Sequence, residues 1–294
     1  MLAILGPTAS GKTGLAIDLA ERLGAEVISV DSMQVYRGMD IGTAKPTLIE
    51  RRGIIHHLVD VADPEDEFSV AEFRRLGRQV IEGAERPLVI VGGSGLHFRS
   101  LVDPMSFAPS DPEARAGLEK RTLGDLVDEL TEADREAGRH VDLANRRRVI
   151  RAVEIWRLTG ETPSARAASA EAEDLRRYVA EIDFTAIGLD PGAWLEERID
   201  DRLGEMRRGG LVDEVARLRD RLGRTARSAV GYREVLEFLG GDITEDEAFE
   251  ATSRNTKTIA KRQRTWFQRD PRIQWIPWFD DERERLDRAL EMLT

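Results

Sequence analysis

Residues 6–13, Gly-Pro-Thr-Ala-Ser-Gly-Lys-Thr, constrain the fold of this 294-residue chain more than any other stretch. They fit G-x-x-x-x-G-K-[ST] at every fixed position, the pattern of a loop that cradles phosphates on backbone N–H groups. Such a loop sits between a buried parallel strand and a helix, because the chain must turn sharply and the helix must aim its positive end at the anion. Both flanks are present. Met1-Leu-Ala-Ile-Leu5 is an apolar run suited to a buried strand. Gly14 to Gly24 supplies the helix, with Leu15, Leu19, Ala20 and Leu23 on one side and Gly24 as its stop. An α/β fold follows: a P-loop NTPase-like core with a mainly parallel sheet flanked by helices. Gly6, Pro7, Thr8, Ala9, Ser10, Gly11, Lys12 and Thr13 are expected to hold a di- or triphosphate, with Lys12 as a point charge and the Thr13 hydroxyl a ligand to Mg²⁺.

Composition narrows the class. With no cysteine, a disulfide scaffold, a thiolate zinc site and a cysteine nucleophile are excluded, and a reducing compartment fits. No apolar run reaches membrane-span length, and the first residues read as a core strand rather than a signal peptide, so a soluble cytoplasmic protein is expected. Lys+Arg 44 against Asp+Glu 55 gives a net charge of −11, which taken alone argues against nucleic acid. What a phosphate backbone feels is a local basic face, however.

That face is sought along the chain. Ala25 to Val30 reads as a second strand ending at Asp31, eighteen positions after Thr13. In a parallel sheet ligands collect at the carboxyl ends of strands, so Asp31 is expected to face the phosphate site, either capping a turn or accepting a proton from a nucleophile. Residues 34–64 look loop-rich and carry His56-His57, a pair better suited to a structural or substrate-lining role than to metal. Phe68 to Gly83 reads as a helix, and Pro87 to Val91 as a third strand that breaks at Gly92-Gly93 before Ser94, either an N-cap or a hydroxyl aimed at the site.

Three prolines between 104 and 112 mark a boundary, and residues 112–178 read as a charged, helical insertion between core segments 1–111 and 179–294. Its clearest helix runs from Leu143 to Leu158, with Val149, Val153 and Trp156 on one face and Arg147 and Arg151 opposite. Val179 to Leu189 returns to the sheet, and the remainder reads as helical. The last long helix starts with a capping box at Thr244 and Glu247. Within residues 254–269 stand six basic side chains and no acid, and Arg254, Lys257, Lys261 and Arg264 fall on one stripe. In an acidic chain this reads as a footprint for a polyanion.

The specific words point further. Gly6 to Thr13, Ser29-Val-Asp-Ser-Met-Gln-Val-Tyr36, Met39-Asp-Ile-Gly-Thr-Ala-Lys-Pro46, His57-Leu-Val-Asp60, Val91-Gly-Gly-Ser-Gly-Leu-His-Phe98, Val230-Gly-Tyr-Arg-Glu234 and Lys261-Arg-Gln-Arg-Thr-Trp266 occur in that order. Together, over nearly the whole length, they closely resemble the tRNA dimethylallyltransferases, the bacterial tRNA isopentenyltransferases. The resemblance implies transfer of a dimethylallyl group from dimethylallyl diphosphate to N6 of the adenosine 3′ of the anticodon, on a tRNA anticodon stem-loop, with Mg²⁺. It implies catalytic roles for Lys12, Thr13, Asp31, Ser94 and Arg115. Contact with tRNA is implied for Asp31, Ser32, Met33 and Gln34, for Arg147, Arg148 and Arg151, for Gly231, Tyr232 and Arg233, and for Lys261, Arg262, Gln263, Arg264 and Trp266. A monomer is expected.

The chain departs from the family at Ser94, where threonine is usual, and at His97, where tyrosine is usual; the second bears on the wall of the prenyl or adenine pocket. Two other readings account for the P-loop. An ATP-dependent small-molecule kinase leaves the basic helix unexplained, and a prenyltransferase of free adenine nucleotides has little use for it.

Overall fold

Six short strands form a single sheet in the computed structural model, which describes residues 1–279 and 281–293. They are β1 (Leu2–Leu5), β2 (Glu26–Ser29), β3 (His56–His57), β4 (Leu88–Gly92), β5 (Thr185–Leu189) and β6 (Ile273–Ile276). Their order is β3-β2-β4-β1-β5-β6, and every neighbouring pair is parallel. All four residues of β1 and all five of β4 are buried, the unbroken apolar pattern of strands covered on both faces. Ile4 pairs with Val91 on one side and Ile187 on the other, so the loop after β1 leaves from the centre of the sheet.

The period-2 alternation divides the strands between two cores. Ile4, Val27, Val89 and Ile187 pack against Leu15 and Leu19 of α1 (Lys12–Leu23). Ala3, Leu5, Ile28 and Ile90 face Phe73 of α2 (Val70–Glu82) and Phe98 of α3 (Gly95–Val102). Leu23, expected on the core side of α1, is instead 40% exposed, because it lies in the last turn beyond the sheet.

The chain separates into two compact units, Met1–Val102 with Ile182–Thr294, and Asp103–Glu181. These breaks lie outside the expected 111/112 and 178/179. The second unit holds α4 (Pro112–Glu119), α5 (Leu123–Ala133), α6 (Arg146–Thr159), α7 (Pro163–Ala167) and α8 (Ala170–Arg176), with no strand among its described residues. Its core is Leu118, Leu126, Leu130, Val149 and Val153. At the edge of that core stands Glu154, whose side chain is fully buried and accepts from Arg115 Nη2 (2.7 Å), Arg151 Nη1 (2.7 Å), Ser110 Oγ (3.1 Å) and Asp111 N (3.0 Å). Burial alone would raise the carboxyl; the hydrogen bonds from Arg115 and Arg151 outweigh it and hold Glu154 below its ordinary value. Arg151 is therefore not an unpaired cation on a solvated face. Its partner lies three residues on, a turn further along the same helix.

After β5 come α9 (Leu195–Arg208), α10 (Leu211–Leu218), α11 (Arg224–Arg227), α12 (Tyr232–Gly240), α13 (Glu245–Gln268) and α14 (Glu282–Glu291). The capping box of α13 is present, with Thr244 Oγ1 accepting from Glu247 N and Glu247 Oε2 accepting from Thr244 N at 2.8 Å. The expectation that everything after β5 is helical is corrected by β6. Its four residues, with only Ile273 and Ile276 buried, are too few and too mixed to show a strand period, and β5 supplies the pairing that makes them one.

Candidate active site

Parallel strands deliver their carboxyl ends to one edge of the sheet. β1 leads there into Gly6, β2 into Asp31, β4 into Ser94 and β5 into Asp190. Gly6 passes so close to β5 that a Cβ on it would lie 2.2 Å from the Leu189 carbonyl oxygen. Only glycine lets the loop cross here.

The loop is gripped from three sides. Lys12 Nζ donates to Pro7 O at 2.9 Å. Arg202 of α9 donates from Nη1 to Thr8 Oγ1 at 3.2 Å, and Arg198 from Nε to Ala9 O at 2.8 Å, with its guanidinium 4.8 Å from the Trp278 ring centroid. Gln263 of α13 accepts from Thr8 N at 2.8 Å. Burial pushes the Lys12 ammonium down to about 7, the Arg202 charge pushes the same way, and Asp31 opposes both. Arg202 is likewise lowered by burial, against Asp31 and Glu205. Two cations held together and partly desolvated need an anion.

Asp31 closes a turn and also faces a cavity. Its Oδ1 accepts from Met33 N (2.8 Å) and Gln34 N (3.3 Å), closing the turn after β2. The residue also lines a cavity of about 210 Å³ together with Lys12, Thr13 and Arg202. Ile199, Leu203 and Met206 of α9, Leu211 of α10 and Ile259 of α13 form an apolar part of its wall, beside polar side chains that include Ser29, Gln34, Thr252 and Gln263. A second cavity of about 800 Å³ shares Lys12, Thr13 and Arg202 with the first.

The segment 39–46 closes this space and is locked from behind. Glu214, 1% exposed, accepts from Asp40 N, Ile41 N and Gly42 N at 2.8–3.0 Å and from Tyr232 Oη at 2.5 Å. Gln34 Nε2 donates to the carbonyls of Thr43 and Ala44, while its Oε1 accepts from Ser29 Oγ at 2.8 Å.

Several expected residues stand elsewhere or are otherwise engaged. Ser94 Oγ is hydrogen-bonded to His97 Nδ1 at 2.6 Å, and neither residue lines the two cavities. His97 is 7% exposed, edge-on to Phe73 at 4.6 Å and pushed to about 4 by burial, so it is a neutral core group rather than a pocket wall. Tyr232 is fully buried on Glu214, which leaves its side chain no surface for RNA. Arg115 is bound to Glu154 within the helical unit.

The basic stripe is largely neutralised by acids from other elements. Lys257 pairs with Asp200 (2.6 Å), Lys261 with Glu196 (3.0 Å) and Arg264 with Asp190 (2.5 Å). Arg262 and Lys261 are exposed. Arg147 and Arg148 of α6 are exposed as well. His56 lines the smaller cavity, and His57 Nε2 lies 2.7 Å from Glu26 Oε2.

Arg202 was missed, although it carried a signal. It falls between Ile199, Leu203 and Met206, a cation within an otherwise apolar helical stripe. For Mg²⁺, the Thr13 hydroxyl and the Asp31 carboxylate line one cavity, two hard oxygen donors of the kind that ion takes. Among the described residues no group of three or more acidic, histidine or cysteine side chains forms a metal cage. That donor set suits an ion completed by water and phosphate oxygens.

Fold and site together define an α/β enzyme of P-loop-like architecture, with a cationic loop beside a cavity walled in part by apolar side chains. A family profile described as IPP transferase matches residues 34–270, and the chain belongs to that family of transferases. The tRNA dimethylallyltransferase of Bifidobacterium longum is 44% identical over 94% of this chain and 86% of the relative. The full-length tRNA isopentenylpyrophosphate transferase of Bacillus halodurans is 37% identical with a TM-score of 0.73, covering 99% of this chain and 94% of its own. A eukaryotic dimethylallyltransferase acting on tRNA has the same fold at a TM-score of 0.81 and 24% identity, over 100% of this chain and 80% of its own.

Proposed function

We propose that this chain transfers a dimethylallyl group from dimethylallyl diphosphate to N6 of the adenosine 3′ of the anticodon in tRNA, releasing diphosphate. The observation that carries the reading is one small cavity in which a carboxylate with a free oxygen, two desolvated cations and an apolar wall converge. The N6 lone pair attacks the allylic C1, the C1–O bond breaks, and its electron pair leaves with diphosphate. Lys12 and Arg202 stabilise the charge that develops on the leaving oxygens, an effect strongest where water is excluded. Asp31 Oδ2 accepts the N6 proton, while Oδ1 keeps the carboxylate oriented through the Met33 and Gln34 amides. Thr13 would hold Mg²⁺ beside the diphosphate, where the ion would supply further charge neutralisation.

An adenine amine is a poor nucleophile, so positioning contributes much of the acceleration. The base has to leave its stack to reach a cavity at the sheet edge. Exposed Lys261 and Arg262 on α13, and Arg147 and Arg148 on α6, are the cations proposed to meet the tRNA backbone.

Mass spectrometry of an unmodified tRNA with an adenosine at that position, incubated with protein, Mg²⁺ and dimethylallyl diphosphate, tests the proposal. The expected gain is one dimethylallyl group on that adenosine, without ATP. Absence of transfer, with ATP consumed on a small alcohol or nucleotide instead, overturns it.

A further inference from the structure

Resting on the reading above, we infer that Leu211 and Met206 limit the donor to a single five-carbon unit, and that the cluster behind Leu211 makes the limit rigid. The diphosphate end of any donor is anchored where Lys12 and Arg202 lie. Arg202 shares its helix face with Leu203 and Met206, so a chain avoiding water runs from that anchor along α9 towards Leu211, the first residue of α10.

The wall it meets has no slack. Gly42 lines the same cavity, and a Cβ there would lie 2.5 Å from the Tyr232 ring and 3.0 Å from Leu211 Cδ1. Retreat is blocked as well. Glu214 holds the backbone N–H groups of Asp40, Ile41 and Gly42, and the Tyr232 hydroxyl, in one buried set of hydrogen bonds. Close-packed interiors backed in this way transmit a clash rather than absorb it. Met206 is the softer member. It is half-buried, lines both cavities and has three rotatable bonds. A ten-carbon allylic donor would therefore press its second isoprene unit against Leu211 and is excluded.

The test compares dimethylallyl and geranyl diphosphate as donors to an anticodon stem-loop RNA, with wild-type protein, Leu211→Ala and Met206→Ala. A pocket discriminates about 10–200-fold for a single methylene, so wild-type kcat/KM for the geranyl donor is expected to be at least about 100-fold below that for dimethylallyl. Leu211→Ala is expected to raise the geranyl-to-dimethylallyl ratio at least about tenfold, with the KM for RNA unchanged. Met206→Ala, at a half-buried position, carries the same expectation if Leu211→Ala does not fold. Equal use of both donors by the wild type overturns the inference. So does an unchanged donor ratio with a raised KM for RNA, because the wall would then hold the adenine. No dimethylallyl transfer by the wild type would overturn the proposed function itself, a distinguishable result.

Discussion

Lys12 is held near pH 7 by burial and by Arg202, and this has a measurable consequence for donor binding. At pH 8 a group with a pKa of about 7 is only about one-tenth protonated. A diphosphate placed against it restores the ammonium, so binding at pH 8 should take up about 0.9 proton, falling to about 0.1 at pH 6. Phosphate groups complete their own ionisation near pH 6, so above about pH 7.5 the uptake belongs to the protein. Affinity should correspondingly weaken by about tenfold per pH unit between about 7.5 and 9.5. The sign for stability is opposite to that of a salt-bridged lysine. Between about 7 and 10.5 the unfolded chain holds a proton that the folded one lacks, so the free protein gains stability as pH rises through that window, and below about 7 the slope vanishes. Titration calorimetry of dimethylallyl diphosphate, in buffers of different ionisation enthalpy, reads the uptake directly. Zero uptake at pH 8, or uptake that persists in Lys12→Met, would refute the reasoning.

Asp31→Ala should lower kcat by about 10²–10⁴-fold while tRNA still binds in a gel-shift assay; full activity removes Asp31 as the proton acceptor. Lys261→Ala with Arg262→Ala should flatten the dependence of log K for tRNA on log salt by about 1.5, the effect of two lost phosphate contacts, and an unchanged slope takes α13 out of the interface. Glu214→Ala should destabilise the protein by about 4 kcal/mol in urea unfolding, since three amides and the Tyr232 hydroxyl lose their acceptor; a loss under about 1 kcal/mol would show that water replaces it.

The first strand, its loop and its helix were legible because their signals are local, whereas β3 and β6 were not read as strands. Five apolar residues, a fixed glycine spacing and a helical stripe lie within 24 positions, and each needs only its neighbours to be read. Asp31 was legible through topology, since a residue just past a parallel strand must reach the ligand-binding edge. Other features failed because their partners are remote. The acids opposing Lys257, Lys261 and Arg264 come from α9 and the end of β5, 57 to 74 positions away. Seen in one dimension, residues 254–269 are a polycation. Seen in three, they are half of an ion-pair seam with a narrower exposed rim.

Sequence alone therefore determined the fold class, the glycine-rich turn after β1 and the family, because spacing and hydrophobic period survive in one dimension. Tertiary structure decided which charges remain free, that Ser94 is held by His97, that Arg202 joins Lys12, and that Tyr232 supports the wall instead of touching RNA. The physical reason is that charge state and accessibility are properties of surroundings, set by which distant residues fold into contact and how much water they displace.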